Sequence, residues 1–246
     1  MQSDLLLKNG LIHKIGGSDY NFRSQTIGED QMKREIERLS AEMDCAVTNY
    51  YLGQQVHGKH VQNISEGYPE KFAGGYLFPG TDGLMTDEPG VALVIKFADC
   101  TPIVLYDPVR KVQANVHSGW RSTVQKIASV AIEKMVRDFG SRREDILAYI
   151  GPSIAQNDYE VGEEVYEAFK GFPKREQFFI SKANGKYLLD VAQANQLLLQ
   201  EEGILPGHLE ISKKKTYHDP ALHSARAEGA NYGLNAIMTV IQNEGV

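Results

Sequence analysis

The stretch Val91-Ala92-Leu93-Val94-Ile95-Lys96-Phe97-Ala98-Asp99-Cys100-Thr101-Pro102-Ile103-Val104-Leu105-Tyr106, followed closely by Val112-Gln113-Ala114-Asn115-Val116-His117-Ser118-Gly119-Trp120-Arg121, decides the fold. Val91–Phe97 is an almost continuous apolar run of strand length, and Ile103–Tyr106 and Val112–His117 read as two more strands. In the last of these, Val112, Ala114 and Val116 alternate with Gln113, Asn115 and His117. A period of two sets His117 on the face opposite the valines. Asp107-Pro108 supplies the turn between the second and third strands.

Downstream, Ser122 and Gln125 have capping-box spacing. Val124, Ile127, Ala128, Ala131, Met135 and Phe139 then form the apolar stripe of one helix that stops at Gly140. Ile146–Ile150 predicts a strand closed by Gly151-Pro152, Val161–Phe169 a helix, and Tyr187–Leu189 a short strand. Asp190 and Gln193 predict a second capped helix that ends at Gly203, and Tyr232–Gln242 a final helix. Upstream, Leu5–Leu7 and Leu11–Ile15 flank Asn9-Gly10 and predict a hairpin. Gln31–Met43 carries Met32, Ile36, Leu39 and Met43 on one helical face. Strands and helices alternate without a steady βαβ rhythm. That predicts an α+β fold: mixed β-sheets packed with helices in a single compact domain over residues 1–246.

Composition narrows the function classes. The 246 residues are 42% hydrophobic and 24% charged, an ordinary globular balance. The net charge of −6 gives no global attraction to nucleic acid or to an acidic membrane surface. The opening Met1–Lys8 lacks a basic leader and an apolar region of signal-peptide length, and no run reaches the ~20 apolar residues of a membrane span. A cytoplasmic location is the default expectation. Cys45 and Cys100 form no disulfide framework. The sequence leaves the oligomeric state open.

Three segments carry potential metal ligands at the ends of strand-like runs, each followed by Gly or Pro. They are Gln55-Val56-His57-Gly58, Ala98-Asp99-Cys100-Thr101-Pro102 and Val116-His117-Ser118-Gly119. Two imidazoles and a thiolate suit zinc, and three protein ligands leave a fourth position for water. The spacing alone is not diagnostic. Taken singly, a histidine after a strand is ordinarily a hydrogen-bonded structural residue, and a cysteine beside a β-run a small buried hydrophobe.

The motifs together closely resemble the laccase-domain family, also called polyphenol-oxidase-like or YfiH-like proteins. The resemblance rests on Gln55–Gly58, Thr81-Asp82-Gly83-Leu84-Met85-Thr86, Ala98–Pro102, His117–Arg121, Gly151-Pro152-Ser153-Ile154 and Tyr159-Glu160-Val161. It implies a zinc held by His57, Cys100 and His117. It implies purine nucleoside phosphorylase activity, in which adenosine, inosine or guanosine reacts with phosphate to give base and ribose 1-phosphate. Adenosine deaminase and methylthioadenosine phosphorylase activities are implied as companions. Purine nucleosides and phosphate are therefore the expected partners, with no nucleic acid and no membrane.

The chain departs from the family pattern in two places. Asn157 and Asp158 stand where cysteines often precede Tyr-Glu-Val. Near the C-terminus Lys215-Thr216-Tyr217-His218 and Leu222-His223-Ser224-Ala225-Arg226 replace a Cys-Thr pair and an arginine-rich segment, with Arg226 as the arginine kept. Arg121, next to the expected Ser122 helix start, and Arg226 are expected to bind phosphate. Gln55 and Ser118 are further expected substrate contacts. Asp99 is expected either to move protons or to orient a ligand histidine. His60, His218 and His223 are lesser candidates for ligand or substrate contacts.

Three other functions compete. Copper held by the same residues would make a polyphenol oxidase, but the ligands are spread from 57 to 117 rather than gathered in one loop, so copper fits less well than zinc. A zinc amidohydrolase editing a peptidoglycan precursor would use the same metal. A non-catalytic binding module would leave the open fourth position unused.

Overall fold

Residues 2–172 and 174–242 are described by a computed structural model; the domain span expected from the sequence, 1–246, reaches beyond them. The strands are β1 (Leu11–Gly16), β2 (Asn49–Gly53), β3 (Val61–Asn63), β4 (Glu70–Phe72), β5 (Gly75–Phe78), β6 (Gly83–Thr86), β7 (Val91–Phe97), β8 (Thr101–Asp107), β9 (Val112–Ser118), β10 (Leu147–Ile150), β11 (Glu160–Val161), β12 (Phe179–Ser181), β13 (Tyr187–Leu189), β14 (Leu209–Ile211) and β15 (Asn235–Ile241). The helices are α1 (Asp4–Lys8), α2 (Ser24–Ile27), α3 (Glu29–Ala41), α4 (Trp120–Val124), α5 (Ile127–Phe139), α6 (Glu163–Ala168), α7 (Val191–Glu201) and α8 (Ala225–Glu228).

Two six-stranded sheets stack face to face. One runs β1-β15-β7-β2-β5-β4 and the other β14-β10-β8-β9-β6-β3. Both are mixed: in the first β2 joins β7 and β5 in parallel while β15 joins β1 and β7 antiparallel, and in the second β14 joins β10 and β3 joins β6 in parallel while β8 joins β10 and β9 antiparallel. A small third sheet, β11-β13-β12, stands apart. The fold is therefore α+β with mixed sheets, as the sequence predicts.

Alternation of side chains builds the layers. On β7, Ala92 and Val94 turn outward onto Met32, Ile36 and Leu39 of α3, while Ile95 and Phe97 turn inward to meet Val104, Tyr106 and Tyr149 of the opposite sheet. On β9, Val112, Ala114 and Val116 pack against Ile127, Ala131, Ile132 and Met135 of α5 and Leu198 of α7. The order is thus helix, sheet, sheet, helix, with three apolar seams. Each Leu, Ile or Met buried in them contributes about 1.5–3 kcal/mol relative to exposure.

The inner face of β9 is polar. Thr239 of β15 donates to Gln113 (2.6 Å), and Asn115 donates to Thr239 (2.9 Å) and to the Leu93 carbonyl (3.1 Å). This buried ladder bridges the sheets at fixed register, and His117 is the next residue on the same face.

Four local expectations are corrected. Residues 232–242 form no helix: Asn235–Ile241 is β15, a central strand buried on both faces. Its Ile237, Thr239, Val240 and Ile241 are β-branched and suit a pleated surface. Leu5–Leu7 lies in α1, not in a hairpin. The Ser3 hydroxyl caps that helix by accepting from Leu6 N–H, and Asn9 and Gly10 end it. The helix expected after Arg121 starts earlier, at Trp120, and breaks at Lys126, which takes a left-handed conformation (φ 58°) and starts α5 anew. Ser122 is no cap; it sits inside α4, buried. The helix expected over Val161–Phe169 is shortened to Glu163–Ala168, because Glu160–Val161 pairs with β13. Asp190 does cap α7, accepting from Gln193 N–H at 2.8 Å.

Candidate metal centre

The antiparallel register of β8 and β9 sets Pro102 opposite His117 and Thr101 opposite Ser118. Cys100, just before β8, therefore lies beside the end of β9. His57 arrives from the loop after β2. Its backbone is left-handed (φ 60°), as is that of Asp99 (φ 78°), where the chain turns from β7 into β8. Non-glycine residues rarely adopt this region, so something must hold each of them.

For His57 the holder is Asp82. This fully buried carboxylate accepts N–H bonds from Val56 (3.0 Å), His57 (2.9 Å) and Gly58 (2.8 Å). It also lies 3.0 Å from His117 Nδ1. Burial pushes its pKa up, but the His117 ring and the Val56 and Gly58 N–H groups outweigh that and leave the carboxyl below its usual range. Asp82 thereby fixes the His57 loop and the His117 ring together, with Nε2 of His117 left for another partner.

One ligand atom from each of His57, Cys100 and His117 lies within 4.8 Å of the other two. Cys100 Sγ is 3.9 Å from His57 Nε2. Ligand atoms around a tetrahedral ion stand about 3.5 Å apart, so the donor set needs only small adjustment to close on one. The charges also fit. Burial disfavours the Cys100 thiolate, but the His117 and His57 imidazoles overcome it and draw the thiol down to about 6. Burial likewise opposes a charged His117, yet the Cys100 thiolate and Asp82 hold it up at about 9. Gly119 completes the centre by its lack of a side chain. A Cβ there would fall 2.8 Å from Cys100 Sγ and 3.0 Å from a His57 ring carbon. The three residues could hold a metal ion.

His57, Cys100 and His117 line one end of a cleft of about 420 Å³. Its walls include Arg23, Gln55, Lys96, Phe97 and Tyr232, and among the described residues none of its lining is a carboxylate. The Gln55 amide clasps the Lys96 backbone from both sides, accepting from N–H at 2.9 Å and donating to C=O at 2.7 Å.

The other expected site residues lie elsewhere. The Asp99 carboxylate accepts from the Thr216 hydroxyl (2.5 Å) and the Arg226 backbone N–H (2.7 Å), so it ties the C-terminal segment to the β7–β8 turn. The histidine-orienting place belongs to Asp82 instead. Arg226 reaches the Glu160 carbonyl (3.2 Å) and stands near the Tyr159 ring. Arg121 lies over the Trp120 ring and does not line the cleft. Ser118 is fully buried, hydrogen-bonded to Thr123 and Asn195 at 2.9 Å each, so its hydroxyl faces the interior rather than a ligand. Trp120 packs against the aromatic cluster around Phe169 and Phe178. His60 pairs with Gln62, His218 with Asp158, and His223 with Glu228 and the Tyr20 carbonyl. None of the three belongs to the metal-capable group. Both cysteines are free thiols.

Asp82, Lys96 and Arg23 went unassigned in the sequence. For Asp82 a signal existed, an aspartate before glycine inside one of the family motifs. Lys96 was also visible, as the one charge in the apolar run of β7. Arg23 had no signal.

Comparison with known proteins agrees with this architecture. The family model described as multi-copper polyphenol oxidoreductase laccase matches residues 19–242. A Bacteroides thetaiotaomicron protein named purine nucleoside phosphorylase is 35% identical over 221 residues, 88% of this chain and 78% of that protein. A protein from an unknown prokaryotic organism named adenosine deaminase RL5 is 33% identical over 217 residues, 84% and 81% of the two chains. The crystal structure of YlmD from Geobacillus stearothermophilus superposes with a TM-score of 0.87 at 25% identity, covering 98% of this chain and 94% of that one. By sequence match and by fold, this chain belongs to the multi-copper polyphenol oxidoreductase laccase family.

Proposed function

We propose that this protein is a zinc-dependent purine nucleoside phosphorylase acting on adenosine, inosine or guanosine. The observation that carries the reading is the His57–Cys100–His117 group in a cleft lined, among the described residues, by two cations and no carboxylate. Such a cleft favours an anionic co-substrate, and phosphorolysis needs one. The names of the relatives support the same substrate class.

Zinc is the proposed metal because thiolate and imidazole are among its usual ligands and three protein ligands leave a fourth position open, as in catalytic zinc sites. When bound it supplies a Lewis acid with one open position. The protein's own groups do the rest. Asp82 holds the His117 ring and the backbone of the His57 loop in place. Phe72, Leu77 and Tyr232 offer apolar surface in the cleft for a purine ring. The cations hold the oxyanion near the sugar. Gln55 in the cleft wall, and Arg121, Arg226 and Asp99 outside its lining, remain proposed contributors.

Deamination of adenosine at the same centre is the second reading, favoured by the relative named adenosine deaminase. It needs a proton-shuttling group, and the cleft lining contains no carboxylate to serve. Methylthioadenosine phosphorolysis would use the same groups as the main reaction. Among the described residues no helix is long and apolar enough to cross a membrane. The cytoplasm, where Cys45 and Cys100 would stay reduced, is the proposed compartment.

The test is incubation of adenosine and of inosine, each with and without phosphate, followed by assay of free base, ribose 1-phosphate and ammonia. Phosphate-dependent release of base is expected. Ammonia formed without phosphate, and no free base in any tube, would replace this reading with deamination.

A further inference from the structure

Lys96 is out of place on β7. It shares the outward face of Ala92 and Val94, which the α3 side chains cover. One step further along this face, the cover gives way to the cleft, and Lys96 lines it. The residue keeps some contact with solvent, but its ammonium end lies deep enough that burial alone pulls its pKa down to about 8. No acidic group offsets that burial, and no hydrogen bond or ion pair to the Lys96 ammonium is found among the described residues.

Burying a cation without a partner is unfavourable, and proteins seldom leave one so. Here the backbone on either side is held rigid. Gln55 clasps the Lys96 peptide groups, and β7 pairs with β15 and β2. The ammonium therefore cannot be relieved by moving the strand. Arg23 lines the same cleft, with its guanidinium bonded to the Ala230 (2.9 Å) and Tyr232 (3.0 Å) carbonyls and stacked on the Tyr232 ring. Two cations, no carboxylate and the metal-capable group thus share one cavity.

We propose that Lys96 is the anion-recognising residue of this cleft and receives a phosphate oxyanion there. Arg23 contributes the second positive charge. As the site of the inorganic co-substrate, this assignment rests on the phosphorolysis reading; as an oxyanion site it does not. The same chemistry could come from the 5′-phosphate of a nucleotide, and the experiment separates the two sources. The assignment differs from a site at Arg121 or Arg226, whose guanidinium groups engage Trp120 and the Glu160 carbonyl outside the cleft lining.

The test measures binding rather than turnover. Calorimetric titration of the full chain with inorganic phosphate, and separately with adenosine 5′-monophosphate and adenosine, is run on wild type, Lys96→Met and Lys96→Arg. Methionine keeps the volume and removes the charge; arginine keeps the charge. The expected result is phosphate binding at least tenfold weaker in Lys96→Met, largely retained in Lys96→Arg, with adenosine binding unchanged. If only the nucleotide loses affinity in Lys96→Met, Lys96 stands and the oxyanion is a 5′-phosphate. Unchanged affinity for both phosphate and nucleotide in a folded Lys96→Met protein overturns the assignment. Should the methionine variant not fold, acetylation of wild-type Lys96 followed by mass spectrometry decides instead. Phosphate must slow that acetylation, and no protection by phosphate or nucleotide overturns it. The two readings also fail separately. Phosphorolysis with an unchanged KM for phosphate in Lys96→Met removes Lys96 alone, and phosphate binding that depends on Lys96 without any release of base removes the phosphorylase alone.

Discussion

Asp82 Oδ1 lies 3.0 Å from His117 Nδ1 and also accepts the His57 backbone N–H at 2.9 Å, so one buried carboxylate sets two of the three candidate metal ligands. Ligand histidines depend on such partners for tautomer and ring orientation, and losing the partner typically weakens metal binding about 10–100-fold. Asp82→Asn keeps the shape and removes the charge. Zinc affinity, measured by competition with a chromophoric chelator, is expected to fall within that range while the fold persists. Wild-type affinity in the folded variant would remove Asp82 from this role.

Gly119→Ala probes the packing of the centre. The added methyl would press on Cys100 Sγ at 2.8 Å and on His57 at 3.0 Å. Gly119 itself lies at φ −73°, which alanine adopts freely, so the effect should be local. Zinc bound per chain after dialysis, read by atomic emission, should drop sharply with an unchanged circular dichroism spectrum. Full occupancy would mean that the neighbours can yield.

The two thiols should react at different rates when metal is stripped. The neighbouring imidazoles bring Cys100 to about 6, whereas burial and then Asp44 raise Cys45 above its usual value. At pH 7 most of Cys100 is thiolate and little of Cys45. Iodoacetamide labelling followed by peptide mass spectrometry should mark Cys100 first, and added zinc should protect it. Faster labelling of Cys45 would contradict the charge arrangement drawn for the centre.

His13 gives a pH dependence remote from the metal. It is fully buried, accepts the Ser3 N–H at Nε2 (2.7 Å) and faces the Leu11 carbonyl with Nδ1 (3.2 Å). Burial lowers its pKa, although the Leu11 carbonyl and Glu210 oppose the shift. The unfolded chain takes up its proton near pH 6.5 while the folded chain still resists it. The contribution is therefore intact above about pH 6.5 and is lost as pH falls toward the depressed folded value. Urea midpoints from pH 7.5 to 5 should decline more steeply in wild type than in His13→Gln. Parallel slopes would show that other groups govern acid stability.

Thr239→Val tests the polar seam between the sheets. It removes a hydroxyl that bridges Gln113 and Asn115 and leaves their buried amides short of a partner. A loss of about 1–3 kcal/mol is expected from chemical denaturation. A neutral or stabilising effect would show that the seam does not depend on the hydroxyl.

Much of the fold and of the centre was legible in the chain. β7 and β8 are long apolar runs and β9 alternates strictly, so strand type followed from run length and the side of His117 from periodicity. The ordered motifs singled out His57, Cys100 and His117, which the structure brings together. Local chemistry also placed the Asp190 cap correctly.

What the sequence could not determine was decided by contacts between distant segments. Tyr232–Gln242 predicts a helix, yet Asn235–Ile241, with four β-branched residues, is a strand that fills the place between β1 on one side and β7 on the other. Asp99 sits beside Cys100 in the chain, yet a left-handed turn sends its carboxylate to Thr216 and Arg226, while Asp82, far from both histidines in sequence, reaches them. Lys96 looks like an interruption of an apolar strand until the end of the α3 cover leaves it in a cleft with no acid to meet it. Periodicity and capping act over a few residues, so the sequence alone determined β1, β7 to β10 and β13 and the ligand types. Which carboxylate is buried against which ring, and which cation is left without a counter-charge, are properties of packing between segments far apart in the chain, and only the tertiary structure decided them.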